Sequence, residues 1–82
     1  MYTGAVCAYC DAAKRLLKSR GLDWQEIRID ADPAHRHEML ERSRGRRTVP
    51  QIFINGQHVG GFRELAAAAH DGSLDELLGQ QA

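Results

Sequence analysis

The spacing of apolar residues alternates along the chain between a helical and a strand-like period. Apolar residues recur at helical spacing from Tyr9 to Leu17, which predicts a helix over Ala8–Arg20. Gly21 is a favourable residue for ending that helix. The next stretch, Trp24–Ile29, alternates apolar and polar residues, which predicts a strand with one side facing the core.

A second helix and a strand follow in the same order. Asp32 is a favourable helix cap and Pro33 suits the first turn, so a helix is predicted to run from there to about Arg44. Val49–Ile54 has the strongest strand pattern of the chain. The dipeptide Asn55-Gly56 tolerates positive φ at both positions, which predicts a two-residue hairpin turn after that strand.

The last part of the chain completes the hairpin and adds two helices. Gln57–Gly60 is predicted to return antiparallel, and an alanine-rich helix is predicted over Leu65–His70. The pattern Ser73–Glu76 is a capping box that opens a short final helix, and Gln80–Ala82 is predicted to fray. With a short first strand at Met1–Thr3, the order is β-α-β-α-β-β-α-α. This order predicts an α/β fold with a four-stranded mixed sheet and helices on both faces.

Length and charge narrow the class of protein. The chain has 82 residues with 11 basic and 11 acidic side chains, which predicts a single domain over residues 1–82. A balanced charge argues against a nucleic acid or membrane partner, because such proteins carry a basic excess. No apolar run reaches the roughly 20 residues of a bilayer span, and the first residues lack the basic segment of a signal peptide. We therefore expect a cytoplasmic monomer.

The two cysteines, Cys7 and Cys10, lie where a predicted strand passes into a helix. The first N–H groups of a helix have no partner within it, and the helix dipole is positive there. A thiolate at this position is stabilised, so its pKa falls below the ordinary value of about 8.5. One helical turn separates the sulfurs, so Cys10 can attack a mixed disulfide formed on Cys7. We expect Cys7 to be exposed at the helix tip and Cys10 to lie beneath it.

Two other interpretations of the cysteine pair stay open. A structural zinc site needs further ligands, which only the histidines can supply: His35, His37, His58 and His70. The first two are two positions apart on a predicted helix and do not face the same way. Alternatively, the cysteines are two unrelated buried residues, although a C-x-x-C pair beside a βαβ pattern favours redox chemistry.

Two further motifs predict a ligand groove beside the cysteines. A cis peptide between Val49 and Pro50 would leave the N–H and C=O of Val49 free to pair with an extended, peptide-like ligand. Gly60 and Gly61 let a ligand approach the main chain, and the helix start after them can hold a carboxylate. Gly60-Gly61 alone is also compatible with a plain turn.

Together these residues resemble the glutaredoxin family of the thioredoxin-like fold, and in particular its bacterial dithiol members. The resemblance covers nearly the whole chain, and its most specific part is the run from Thr48 to Gly61. The matching stretches are Tyr2-Thr3, Cys7–Cys10, Ala13–Leu17, Arg46–Gly56 and His58–Gly61.

The resemblance implies a glutathione-dependent thiol–disulfide oxidoreductase that reduces protein disulfides and glutathione mixed disulfides. In this reaction Cys7 is the nucleophile and Cys10 is the resolving thiol. Glutathione is the implied reducing co-substrate, and no metal or permanently bound cofactor is expected. The expected partners are disulfide-bearing or glutathionylated proteins.

The family also implies a set of glutathione-binding residues. The cysteine main chain of glutathione is expected to pair with Val49, and its γ-glutamyl carboxylate to meet N–H groups near Phe62 and Arg63. Its glycyl carboxylate is expected to meet Arg46 or Arg47. The implied set is Tyr9, Arg46, Thr48, Val49, Pro50, Gly61, Phe62 and Arg63.

Four features depart from the family pattern. Ala8 replaces the usual proline, and Gly4-Ala5-Val6 lacks the lysine that is common before the motif. Arg63 stands where an acidic residue is more frequent and would repel the ammonium group of glutathione, for which Glu64 is the acidic substitute. The first strand is also shorter than usual, which removes ladder hydrogen bonds.

Two alternative functions follow from these departures. Two protomers and two glutathiones can hold a [2Fe–2S] cluster through Cys7 of each protomer, and the replacement of proline by Ala8 is the feature that raises this alternative. The pair Phe62-Arg63 and the missing lysine favour instead a glutaredoxin-like redoxin that is reduced by thioredoxin reductase.

Overall fold

The computed structural model describes residues 1–79 and has the order of elements that the sequence predicts. Gln80–Ala82, for which fraying is predicted, lie outside the described residues. The strands are β1 (Tyr2–Thr3), β2 (Ile27–Arg28), β3 (Ile52–Ile54) and β4 (Gln57–Gly60). The helices are α1 (Ala8–Ser19), α2 (Pro33–Arg42), α3 (Phe62–Asp71) and α4 (Ser73–Gly79).

The strands form two two-stranded sheets rather than one continuous sheet. Strands β1 and β2 pair in parallel, and β3 and β4 form an antiparallel hairpin. An isolated antiparallel bridge joins the two sheets, with the N–H of Tyr2 2.9 Å from the carbonyl oxygen of Gln51 and the reverse bond at 3.1 Å. The predicted βαβ unit and hairpin are confirmed, whereas the predicted four-stranded mixed sheet is not confirmed.

Two strands are shorter than their sequence pattern predicts. The predicted strand Trp24–Ile29 is reduced to β2, because β1 pairs with only Ile27 and Arg28. The predicted strand Val49–Ile54 is reduced to β3, and a register shift between Ile52 and Phe53 interrupts its pairing with β4. Apolar alternation therefore identifies both strands but overestimates the length over which each one finds a partner.

The turn and the helix ends follow from local chemistry. Asn55 and Gly56 have φ of 52° and 82°, as the predicted two-residue turn requires. Asp32 caps α2 by accepting a hydrogen bond from the N–H of Ala34 at 2.9 Å, as predicted. Helix α3 begins at Phe62, before the predicted start at Leu65, because Glu64 in its first turn caps the N–H of Gly61.

Helices cover both sides of the strands. One apolar cluster joins α1, α3 and α4 to the strands, and its buried members include Leu17, Ile52, Ile54, Leu65 and Leu74. A second cluster on the other side joins α2 to the strands through Met39, Tyr2 and Ile29. Neighbouring strand residues, such as Ile52 and Phe53 of β3, contact different clusters, as expected for side chains that alternate across a sheet. None of the helices within residues 1–79 has the length and apolarity needed to cross a membrane.

Candidate active site

The two cysteines lie at the start of α1, as predicted. Cys7 is the N-cap residue, and its sulfur accepts a hydrogen bond from the N–H of Cys10 at 3.0 Å. The Cα atoms are 5.2 Å apart and the sulfurs are joined as a disulfide. Cys7 is half-buried at the helix tip, whereas Cys10 is only 1% exposed. An incoming sulfur can therefore reach Cys7 but not Cys10.

This placement favours the charged form of the Cys7 sulfur once the disulfide is reduced. A thiolate at the N-cap receives the Cys10 N–H and lies at the positive end of the helix dipole. Ala8 occupies the first position of α1 and carries a main-chain N–H that proline would lack. Asp11 is in the same first turn and adds a negative charge that opposes the thiolate.

The loop before β3 faces the Cys7 sulfur. The peptide bond between Val49 and Pro50 is cis, as predicted. The carbonyl oxygen of Val49 lies 3.6 Å from the Cys7 sulfur. Within residues 1–79 the main chain of Val49 has no main-chain hydrogen-bond partner. A donor and an acceptor for an extended ligand are therefore available next to the reactive sulfur.

A cavity of about 230 Å³ lies beside this loop, and we call it the groove. It is bounded by the loop before β3, the start of α1 and the start of α3. Its lining residues are Tyr9, Arg46, Thr48, Val49, Pro50, Gly61, Phe62, Arg63 and Glu64. The structure thus brings together the whole set of residues that the sequence resemblance implies for glutathione. Arg47, the alternative to Arg46, does not line the groove.

Two aromatic rings form one wall of the groove. The rings of Tyr9 and Phe62 stack with their centroids 6.2 Å apart and an interplanar angle of 25°. Helical spacing places Tyr9 with the core residues of α1, yet its side chain is 60% exposed. The side chain of Val6, in the loop before α1, is 100% exposed. Apolar surface therefore flanks the reactive sulfur.

Glu64 lines the groove, and the sequence does not reveal its pairing with Arg46. Its Oε1 atom accepts a hydrogen bond from the N–H of Gly61 at 3.0 Å and lies 3.0 Å from Nη1 of Arg46. The Gly61 N–H, followed by the Arg46 guanidinium, lowers the pKa of Glu64 below its ordinary value. Glutamate at the third position of a helix is a capping signal in the sequence, but the pairing with Arg46 joins residues 18 positions apart.

The buried side chain of Gln51 supports the groove from behind. Gln51, with 0% exposure, donates from Nε2 to the carbonyl oxygen of Thr48 at 3.0 Å and to its hydroxyl at 3.2 Å. Its Oε1 atom lies 2.8 Å from Nε2 of His58. Because the Gln51 amide nitrogen faces Thr48, its oxygen faces His58, and the His58 proton lies on Nε2. Burial, together with Arg46 and Arg44, lowers the pKa of His58.

The histidines do not assemble into a metal site with the cysteines. Among residues 1–79, no three or more His, Cys, Asp or Glu side chains are grouped so that they could hold a metal ion. His35 lies 3.1 Å from the carbonyl oxygen of Arg28, and His37 pairs with Glu41 at 2.9 Å. The zinc interpretation of the cysteine pair therefore has no structural support.

Comparison with known proteins gives relatives over nearly the whole chain. A family model described as Glutaredoxin matches residues 1–59. Glutaredoxin 3 of Escherichia coli (strain K12) is 53% identical over 78 residues, which are 95% of this chain and 93% of the relative.

Solved structures agree with the sequence comparison. The solution structure of glutaredoxin from Brucella melitensis has a TM-score of 0.81 at 47% identity, covering 99% of this chain and 89% of that one. The crystal structure of a buckwheat glutaredoxin–glutathione complex has a TM-score of 0.85 at 32% identity, covering 96% and 74%.

Proposed function

This chain belongs to the glutaredoxin family of thiol–disulfide oxidoreductases, and we propose that glutathione is its reducing co-substrate. The observation that carries the proposal is the half-buried Cys7 sulfur, which accepts the Cys10 N–H at the start of α1 and borders the groove loop. Reactive sulfur and binding groove are thus adjacent. The proposed substrates are protein disulfides and glutathione mixed disulfides.

The proposed reaction begins at Cys7. Its thiolate attacks one sulfur of the target disulfide, and the other sulfur leaves as a thiolate that takes a proton from water. Cys10, once deprotonated, attacks the Cys7 sulfur and releases the reduced target, which leaves a Cys7–Cys10 disulfide. One glutathione then forms a mixed disulfide on Cys7 and frees Cys10. A second glutathione attacks that mixed disulfide, so oxidised glutathione leaves and Cys7 is reduced.

The groove supplies complementary partners along an extended glutathione. The N–H and C=O of Val49, which have no main-chain partner within residues 1–79, match the main chain of its cysteine. The first N–H groups of α3, at Phe62 and Arg63, lack partners within the helix and suit the γ-glutamyl carboxylate. Arg46, which lines the groove from the loop between α2 and β3, suits the glycyl carboxylate. The buckwheat relative, solved as a glutathione complex, supports the same ligand class.

The roles of the two sulfurs are tested with serine variants. Cys7→Ser is expected to abolish reduction of a glutathione mixed disulfide, because the nucleophile is lost while serine remains a good helix cap. Cys10→Ser is expected to keep this activity and to lose reduction of protein disulfides. The measurement is oxidised glutathione production, coupled to glutathione reductase, with circular dichroism as the folding control.

Three results would contradict this assignment or favour another function. Full activity of Cys7→Ser would show that another group is the nucleophile. Reduction of the Cys7–Cys10 disulfide by thioredoxin reductase but not by glutathione would favour the redoxin alternative. Visible cluster absorbance and a dimer after anaerobic reconstitution with iron, sulfide and glutathione would favour the cluster-bridging alternative.

A further inference from the structure

One ion pair joins the two sides of the groove. Nη1 of Arg46, in the loop between α2 and β3, lies 3.0 Å from Oε1 of Glu64, in the first turn of α3. The same oxygen accepts the N–H of Gly61 at 3.0 Å. A Cβ atom added to Gly61 would lie 3.8 Å from Nη2 of Arg46, so the guanidinium reaches across the chain at this point. Arg46 therefore already holds a carboxylate that belongs to the protein.

We infer that Glu64 competes with the glycyl carboxylate of glutathione for Arg46 and so limits how strongly the groove binds this ligand. The inference rests on the proposed function, in which Arg46 receives that carboxylate. A guanidinium can hold one carboxylate in a two-pronged arrangement, so an incoming carboxylate must displace Glu64 or share Arg46 with it. In either case the interaction between Arg46 and the glycyl carboxylate is weaker than with a free guanidinium.

The local geometry makes this competition specific to one end of glutathione. Glu64 caps the N–H of Gly61, which precedes the helix, and leaves the N–H groups of Phe62 and Arg63 to another acceptor. The γ-glutamyl carboxylate therefore has its own site. Removing the charge of Glu64 should strengthen binding only through the glycyl carboxylate.

The ion pair is weak enough to be displaced. The side chains of Arg46 and Glu64 are 44% and 41% exposed, and ion pairs with this exposure change an equilibrium constant by about fivefold at most. Glu64 is nevertheless held in place, because its carboxylate also caps Gly61 and folds over Gly60. A Cβ atom on Gly60 would lie 2.5 Å from Oε1 of Glu64. Glu64 is thus a persistent competitor that a ligand can still replace.

The test measures how well the groove holds glutathione when it is bound to Cys7. In a Cys10→Ser background, the Cys7 thiolate attacks oxidised glutathione, which forms a mixed disulfide and releases one reduced glutathione. The equilibrium constant of this exchange, followed by mass spectrometry, reports the stability of the bound glutathionyl group. The same exchange is measured with the disulfide of the glycyl ethyl ester of glutathione, which lacks the glycyl carboxylate.

The informative variant is Glu64→Gln, because glutamine keeps an oxygen that can cap Gly61 and removes only the charge. We expect the equilibrium constant for glutathione to rise about two- to fivefold, as the strength of an exposed ion pair allows. The constant for the ester should not rise, because the ester has no glycyl carboxylate that could gain from a released Arg46. In an Arg46→Gln background the rise should disappear, because no guanidinium remains for the two carboxylates to share.

A control variant outside the groove separates this effect from a change in net charge. Glu76 is an exposed carboxylate on α4 outside the groove, and Glu76→Gln is expected to leave both constants unchanged. An unchanged or lower constant for glutathione in Glu64→Gln would overturn the inference. An equal rise with the ester, with Glu76→Gln or in the Arg46→Gln background would also overturn it.

Failure of the proposed function gives a different result. The Cys10→Ser chain would then form its mixed disulfide no more favourably with glutathione than with 2-mercaptoethanol, which offers no carboxylate or peptide group. That result would overturn the glutathione proposal and the competition together. A clear preference for glutathione without a response to Glu64→Gln would overturn the competition alone.

Discussion

Gln51 does not line the groove, but its removal should disturb the groove, because its side chain holds Thr48 in place. Its amide links the loop that carries Thr48 to His58 on β4, and its side chain is fully buried. We consider the substitution Gln51→Met, which keeps a long unbranched side chain but removes both hydrogen-bonding groups. The Thr48 carbonyl then loses a donor, and the Nε2–H of His58 loses its acceptor.

The size of the effect follows from these two lost partners. A buried group left without its hydrogen bond costs about 1–3 kcal/mol. Thr48 is exposed and His58 is partly buried, so water offsets some of this loss, and we expect about 2–3 kcal/mol in total. In a small domain each 1 kcal/mol lowers Tm by about 4–8 °C, which predicts a fall of roughly 10–20 °C. This is a large share of the total stability of about 5–15 kcal/mol.

Urea denaturation and glutathione kinetics together test this reasoning. The free energy of unfolding should fall by the stated amount, and KM for glutathione should rise more than kcat falls, because Thr48 and Val49 lose their anchor. Gln57→Met is the matched control, since Gln57 is exposed on β4 and should lose less than about 0.5 kcal/mol. Equal losses of stability in the two variants would show that the Gln51 amide does not stabilise the link between Thr48 and His58.

Two further predictions concern His58 and Gly60. Because burial lowers the pKa of His58, the unfolded chain binds more protons, so the stability from this residue is fully present above about pH 6.5 and declines below it. His58→Gln keeps a donor near the Nε2 position and should reduce this decline in thermal denaturation between pH 8 and 5.5; an unchanged decline would contradict the assignment. Gly60→Ala combines a φ of 123° with the clash on Glu64 and should lose about 1–2 kcal/mol more than Gly72→Ala, whose φ is 87° with open space around the added atom. Equal losses would show that Glu64 moves aside freely.

The parts of the fold that the sequence predicts well depend on neighbouring residues. The cap at Asp32, the turn at Asn55-Gly56 and the sulfur at the start of α1 each need contacts only a few positions apart. All four predicted helices occur in the predicted order, although α3 begins at Phe62 instead of Leu65 and α2 ends at Arg42 instead of about Arg44. Strand length was overestimated, because the pairing of Ile27 and Arg28 depends on a partner strand elsewhere in the chain.

The side-chain pairs between distant parts of the chain are of a different kind. The hydroxyl of Tyr2 donates to Glu38 and accepts from Nη1 of Arg42 at 2.9 Å, across 36 and 40 positions of sequence. The pairing of Arg46 with Glu64 likewise depends on how the α2–β3 loop meets the start of α3. No period or motif encodes such contacts, since they exist only after the elements have packed.

The division between local and distant contacts has a consequence for function. We expect the reactivity of Cys7 to depend on the start of α1, which the short motif Cys7–Cys10 specifies. The type of reaction can therefore be predicted from the sequence more directly than the ligand. We expect recognition to depend on the charges of Arg46, Arg63 and Glu64, which line one groove. At Arg63 the chain departs from the family pattern, and at Glu64 it supplies a carboxylate of its own. We expect these two residues to change how strongly the groove binds its ligand, since neither belongs to the helix start that holds Cys7.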